Sequence, residues 1–144
     1  VKRWKSEKVK KWKGEKVKRW KSEKVKRNVI SELSIKFALR IISLYKYLCE
    51  NKREYDISRQ VYRSGTSIGA NIAESKNAQS NADYISKLSI ALKEADETEY
   101  WLILLYKSDY ITQQEFDSLL SDLQVIIGTL INIIKKLKEN EKTA

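Results

Sequence analysis

Three carboxylates, Glu94, Glu97 and Glu99, stand together in the stretch KEADETEYWL. Paired carboxylates are what general acid–base catalysis or a divalent cation would use, and on a helix Glu94 and Glu97 are neighbours, three residues apart. Nothing in the chain completes that chemistry. It has no histidine, which removes the usual general base, the usual metal ligand and the Glu-x-x-His element of di-iron bundles. Cys49 is the single cysteine, so there is no disulfide framework and no thiolate cluster, and no glycine-rich phosphate loop accompanies the glutamates. The reading is a protein that is not an enzyme, with no catalytic residues, no metal, no cofactor and no small-molecule substrate. The glutamates are expected at a helix contact, and Cys49 as a partly buried, inert thiol.

Basic residues point instead to phosphate. Lys36 and Arg40 stand four apart, as do Arg59 and Arg63, with Lys52 and Arg53 between the two pairs. On adjacent helices these six would form a basic strip able to contact a nucleic-acid backbone, although solvated helix faces carry such residues in any case. The net charge of +10 is distributed unevenly: residues 1–27 hold 14 Lys and Arg against 3 Glu (+11), and residues 28–144 hold 15 against 16 (−1). Within the latter, residues 28–80 carry 8 basic and 5 acidic groups and residues 81–144 carry 7 and 11, which favours the first two helices as the side facing phosphate.

The basic segment is an octapeptide copied three times, WKSEKVKK from Trp4, WKGEKVKR from Trp12 and WKSEKVKR from Trp20. A period of eight moves each tryptophan about 80° round a helix, so no apolar stripe forms. On a strand the tryptophans share one face and the valines the other, and neither face is apolar enough to bury. Residues 1–27 are therefore expected as a mobile or frayed helical tail supported by Glu–Lys neighbours, and residues 28–144 as the folded domain. Tryptophans among lysines suit base stacking with counterion release, or an anionic membrane surface; a translated DNA repeat with incidental polyanion affinity is the plainer alternative.

The stretch SGTSIGANIAE, Ser64 to Glu74, sets two glycines into a helical pattern, each costing about 1 kcal/mol relative to alanine. Gly65 and Gly69, four apart, with Ala70 and Ala73 make a nearly flat side that a neighbouring helix can approach, while Asn71 and Glu74 are expected to bond between helices and fix register. The segment RSGTSIGANIAES followed by KLSIALKEADETEYWLILLYKSDYIT resembles the four-helix bundle proteins encoded within intervening sequences of bacterial 23S rRNA genes, a family that includes the accessory variability determinant of diversity-generating retroelements. The similarity covers roughly residues 28 to 140. It implies an up-down bundle assembled as a homo-oligomeric ring, a pentamer, with a link to RNA or other nucleic acid and, in the retroelement branch, to a reverse transcriptase.

The elements that hold these residues are four helices. The first is expected from about Val29 to Cys49, with Ile30, Phe37, Leu44 and Leu33, Ile41, Leu48 buried; the second from Asp56 as N-cap to about Lys76, burying Ile57, Val61, Ile68 and Ile72. The third opens at Ser80 or Asn81 and buries Leu88, Ala91, Ala95, Leu102 and Leu105. The fourth starts with a capping box, Thr112 and Glu115, and carries a heptad through Phe116, Leu123, Leu130 and Leu137, with Leu120, Ile127 and Ile134 between them. Leu119, Ile126 and Ile133 form a second stripe, joined by Ile131, and are expected as the oligomer interface; a centrally placed helix would use them too.

The chain contains no methionine, so Val1 is not an initiator as written: either one is removed or a longer reading frame precedes it. With no apolar run long enough to cross a bilayer and no signal-peptide h-region, the location is expected to be cytoplasmic, away from membranes. The fold expected is an all-α, antiparallel up-down four-helix bundle. Its expected function is a non-enzymatic oligomeric scaffold associating with RNA or a ribonucleoprotein; the rival is a protein–protein interaction module with no nucleic-acid role.

Overall fold

Four helices in sequence order build the molecule: α1 (Glu7–Asn51), α2 (Ile57–Ser75), α3 (Asn81–Lys107) and α4 (Gln113–Thr143). The computed structural model describes the backbone of residues 7–143 and the side chains of residues 27–142, so residues 1–6 and all the tryptophan side chains of the repeat lie outside the described residues. Each helix packs on its sequence neighbours and α1 closes on α4, giving an all-α bundle with antiparallel, up-down topology.

The first helix is longer than its apolar pattern suggests, running back to Glu7 instead of starting near Val29. Periodicity detects only the part of a helix that packs, and Lys, Glu, Arg and Trp leave the backbone no reason to break. At 1.5 Å per residue α1 is about 68 Å long against about 28 Å for α2.

Two connections leave their helices through left-handed residues that are not glycine. Arg53 (φ 52°) turns the chain after α1 while the Glu54 N–H reaches back to the Leu48 carbonyl at 3.0 Å, and Asp109 (φ 65°) does the same after α3, where Tyr110 N–H bonds the Leu105 carbonyl at 2.9 Å. The start of α2 is capped by a residue that spacing does not single out. Asp56 occupies the N-cap position without a side-chain bond; the buried carboxylate of Glu54 accepts the N–H groups of Asp56, Ile57 and Ser58 at 3.2, 3.1 and 2.7 Å. The other two starts follow the sequence. Ser80 Oγ accepts from Asp83 N–H at 3.0 Å, and Thr112 and Glu115 exchange backbone and side-chain bonds at 2.9 and 3.1 Å.

The core is made by Ile30, Phe37, Ile41, Leu44 and Leu48 of α1, Val61, Ile68 and Ile72 of α2, all five residues expected on α3, and Leu119, Leu123, Ile126, Leu130 and Ile134 of α4. Leu33 and Ile57, expected in the core, pack against it half-buried. A hydroxyl pair crosses the α2–α3 seam: Thr98 and Ser64 are both fully buried, their oxygens are hydrogen-bonded at 2.9 Å, and Thr98 Oγ1 also lies 2.7 Å from the Glu94 carbonyl, which accepts from it. Satisfying both hydroxyls there makes this polar contact specific to one register of the two helices.

Candidate nucleic-acid interface

The two basic pairs are held apart by their own ion pairs. Arg40 turns to α4, where Nη1 donates to Asp122 Oδ2 at 2.6 Å and to the Ser118 carbonyl at 3.2 Å, and Nη2 donates to Ser118 Oγ at 2.9 Å. Arg63 turns the other way, to α3, pairing with Glu94 at 3.4 Å and with Glu97. Arg40 and Arg63 therefore lie on opposite flanks, and the six residues do not form one strip. The outward sides of α1 and α2 between those flanks expose Ile35, Leu39 and Tyr62. Lys36 and Arg59 remain exposed with no ion pair among the described residues; Lys52 lies 6.0 Å from the centre of the Tyr47 ring, and Arg53 is exposed at the turn.

The candidate carboxylates Glu94 and Glu97 are thus the acceptors of Arg63, joining α3 to α2, with Glu99 half-buried further along. In the small-residue stretch, the glycines and the alanines separate. A Cβ on Gly65 would stand 2.8 Å from Ile41 Cγ1, and one on Gly69 3.3 Å from Ser34 Oγ, so both glycines meet α1. Ala70 and Ala73 face outward and are exposed. Asn71, expected to bond between helices, instead donates within its own helix to the Ser67 carbonyl at 2.8 Å, because an i−4 carbonyl is the nearest acceptor to a short amide. Glu74 does reach across, pairing with Lys87 of α3 at 3.0 Å.

Around Cys49 the α1–α2 seam is polar. Its sulfur lies 3.7 Å from Ser58 Oγ, and the Tyr45 and Tyr62 rings sit 4.6 Å apart between centres. The Tyr45 phenol is held above its ordinary value near 10.0, first by the charge of Cys49 and then by the hydrogen bond to it, with burial and Tyr62 adding and Arg59 opposing.

On α4 the core draws on both stripes, taking Leu123, Leu130 and Ile134 from the first and Leu119 and Ile126 from the second. Leu119 and Ile126 are 5% and 1% exposed within a single chain, and Ile133 is half-buried against the core. They serve the bundle and not an outer surface. Phe116, Leu120, Ile127 and Leu137 are the half-buried ones, and Val125 and Ile131 are exposed. The Arg40 clasp on Ser118 and Asp122 sets the helix rotation on one side, and the stack of Phe116 on Tyr106, 4.8 Å between ring centres, sets it on the other.

Spacing arguments also pass over a cavity of about 470 Å³ where the start of the packed part of α1 meets the α2–α3 turn. Arg27, Lys76 and Tyr84 line it, with the Arg27 guanidinium 4.9 Å above the Tyr84 ring. Arg27 is far in the chain from Lys76 and Tyr84, so only the fold brings it to them.

Fold and surface define a small all-α, up-down bundle whose first helix carries a basic extension. The chain belongs to the 23S rRNA-intervening sequence protein family, whose model matches residues 26–132; all but the last two residues of the octapeptide repeat precede that match. It is similar to the crystal structure of a protein of unknown function from the S23 ribosomal protein family of Bacteroides thetaiotaomicron, with 54% identity, a TM-score of 0.76, and coverage of 76% of this chain and 98% of that one. No curated protein matches the chain.

Proposed function

We propose that the protein is a non-catalytic, homo-oligomeric scaffold that associates with RNA or a ribonucleoprotein, with the bundle supplying the assembly surface and the repeat supplying affinity for phosphate. The observation that carries this reading is the division of charge: +11 in residues 1–27 and −1 in the rest, joined through one uninterrupted helix from Glu7 to Asn51. A nearly neutral bundle gains little from a polyanion, whereas each lysine that neutralises a phosphate releases counterions and steepens the salt dependence of binding. The family description, which ties these proteins to rRNA genes, adds support. A reverse transcriptase as partner rests on the retroelement branch of the resemblance alone. The rival, a protein-binding module without RNA, draws on the exposed apolar residues Ile35 and Leu39.

The test is RNA binding as a function of salt, measured for the full chain and for a chain lacking residues 1–26. The truncated chain retains all but the first residue of the family match, residues 26–132. Low-salt affinity should fall by at least ten-fold on truncation, and the slope of log affinity against log salt should flatten. Equal affinity and slope for the two chains would sink the role given to the repeat. Absence of RNA binding by the full chain at any salt would turn the function toward the protein-binding rival.

A further inference from the structure

We infer that the cavity at the α2–α3 corner is a binding site for one unpaired nucleotide of an RNA strand, an inference that rests on the RNA reading above. Its floor is apolar, made by Ile30, Ile72 and Leu88, each no more than 2% exposed. Its rim carries two cations, Arg27 and Lys76, and the Tyr84 ring, and no carboxylate lines it. An apolar floor beneath a cationic, aromatic rim suits a planar base with a phosphate attached, and about 470 Å³ falls in the size range of small-ligand pockets.

The arrangement of Arg27 strengthens the assignment. Its guanidinium lies over the Tyr84 ring at 4.9 Å, a cation–π contact that holds the positive charge at the cavity. The cavity is bordered by the C-terminal end of α2, at Ser75 and Lys76, and by the N-terminal end of α3, at Ser80 and Asn81. Those helix ends carry opposite partial charges and offset one another, so the side chains decide the sign of the site: Arg27 and Lys76 stand against one carboxylate, Glu141, whose Oε1 accepts from the lining Asn81 at 2.9 Å. Arg27 is also the last residue of the octapeptide repeat, so a strand held by its phosphates along that part of α1 would run to the cavity mouth. There an unpaired base has an apolar floor and the Arg27 guanidinium, seated on the Tyr84 ring, to lie against, while a base locked in a duplex does not.

The experiment uses the full chain with a fluorescein-labelled decauridylate, a ten-base-pair RNA duplex and uridine 5′-monophosphate at one salt concentration. Lys76→Glu and Tyr84→Ala should each weaken decauridylate binding by about ten-fold, leave duplex binding within about two-fold, and remove the amide shifts that the mononucleotide induces at Ser75, Lys76 and Asn81. Lys93→Glu, an exposed charge reversal on α3, should change none of these by more than about two-fold. Lys76 is exposed and its variant should fold normally by circular dichroism, so the result does not hang on Tyr84. Unchanged decauridylate binding in both pocket variants would overturn the site while leaving the RNA reading intact. Mononucleotide binding that depends on Lys76 beside strand binding that does not would overturn it in favour of a free nucleotide. A full chain that binds no RNA at all would remove both the site and the reading.

Discussion

At the residue scale, the three described glycines test how tightly helices meet. Gly65 has no room for a side chain: a methyl group would lie 2.8 and 2.9 Å from the two γ-carbons of Ile41, a branched residue that is fully buried and cannot swing aside. Gly65→Ala should therefore lower stability by about 1 to 3 kcal/mol despite alanine's helical preference. Gly128 has nothing within 4 Å, so Gly128→Ala should raise stability by about 0.5 to 1 kcal/mol. Gly69, with Ser34 Oγ at 3.3 Å, should fall between them. Urea denaturation of the three variants measures the order, and a stabilising Gly65→Ala would show that the α1–α2 contact can open. The sequence announces that SGTSIGANIAE is a packing element, but it does not say which small residues pack. The glycines face α1 and the alanines face water, a distinction that depends on where α1 lies. Glu54 is harder still to read, because it caps α2 from outside the N-cap position where sequence patterns look.

At the scale of elements, the buried faces of α1, α2 and α3 were legible because the residues read as core recur three, four and seven apart, a spacing that keeps them on one side of a helix. Other apolar residues, such as Ile35 and Tyr100, lie off that side. α4 has an apolar arc wide enough for two orientations, and the choice between them belongs to its neighbours, Arg40 on α1 and Tyr106 on α3. The same richness gives α4 an 18-residue window of mean hydropathy 1.4, high enough by length and composition for a membrane span, although the longest unbroken apolar run in the chain lies elsewhere. In the bundle Leu119, Leu123, Ile126, Leu130 and Ile134 of this helix join the core, while Val125 and Ile131 stay exposed. The orientation predicts a contrast. Ile126→Lys would place an unpaired ammonium in a site that is 1% exposed and should abolish cooperative folding, whereas Ile131→Lys, at 48% exposure, should melt within a few degrees of the parent. Thermal unfolding followed at 222 nm separates the two. A folded Ile126→Lys protein would return Leu119 and Ile126 to the outer surface.

For the whole molecule, the proposed assembly needs a surface other than the Leu119 and Ile126 stripe of α4, which is committed to the core. Ile35 and Leu39 stand four apart on α1 at 57% and 59% exposure. Two aliphatic side chains left so open on one helix face gain from burial against a second copy, at roughly 25 cal/mol for each Å² removed from water. Charging that face should therefore separate assembly from folding, which substitutions on the inner face of α4 cannot do. Ile35→Glu with Leu39→Glu should keep the parent's helicity and melting cooperativity, because neither residue enters the core. Its mass by light scattering should drop from that of an oligomer to that of one chain of 16.9 kDa. A parent that already scatters as a single chain would end the ring reading. An oligomer that survives both charges would move the interface to the other exposed residues, Ile90 and Tyr100 of α3 or Val125 and Ile131 of α4.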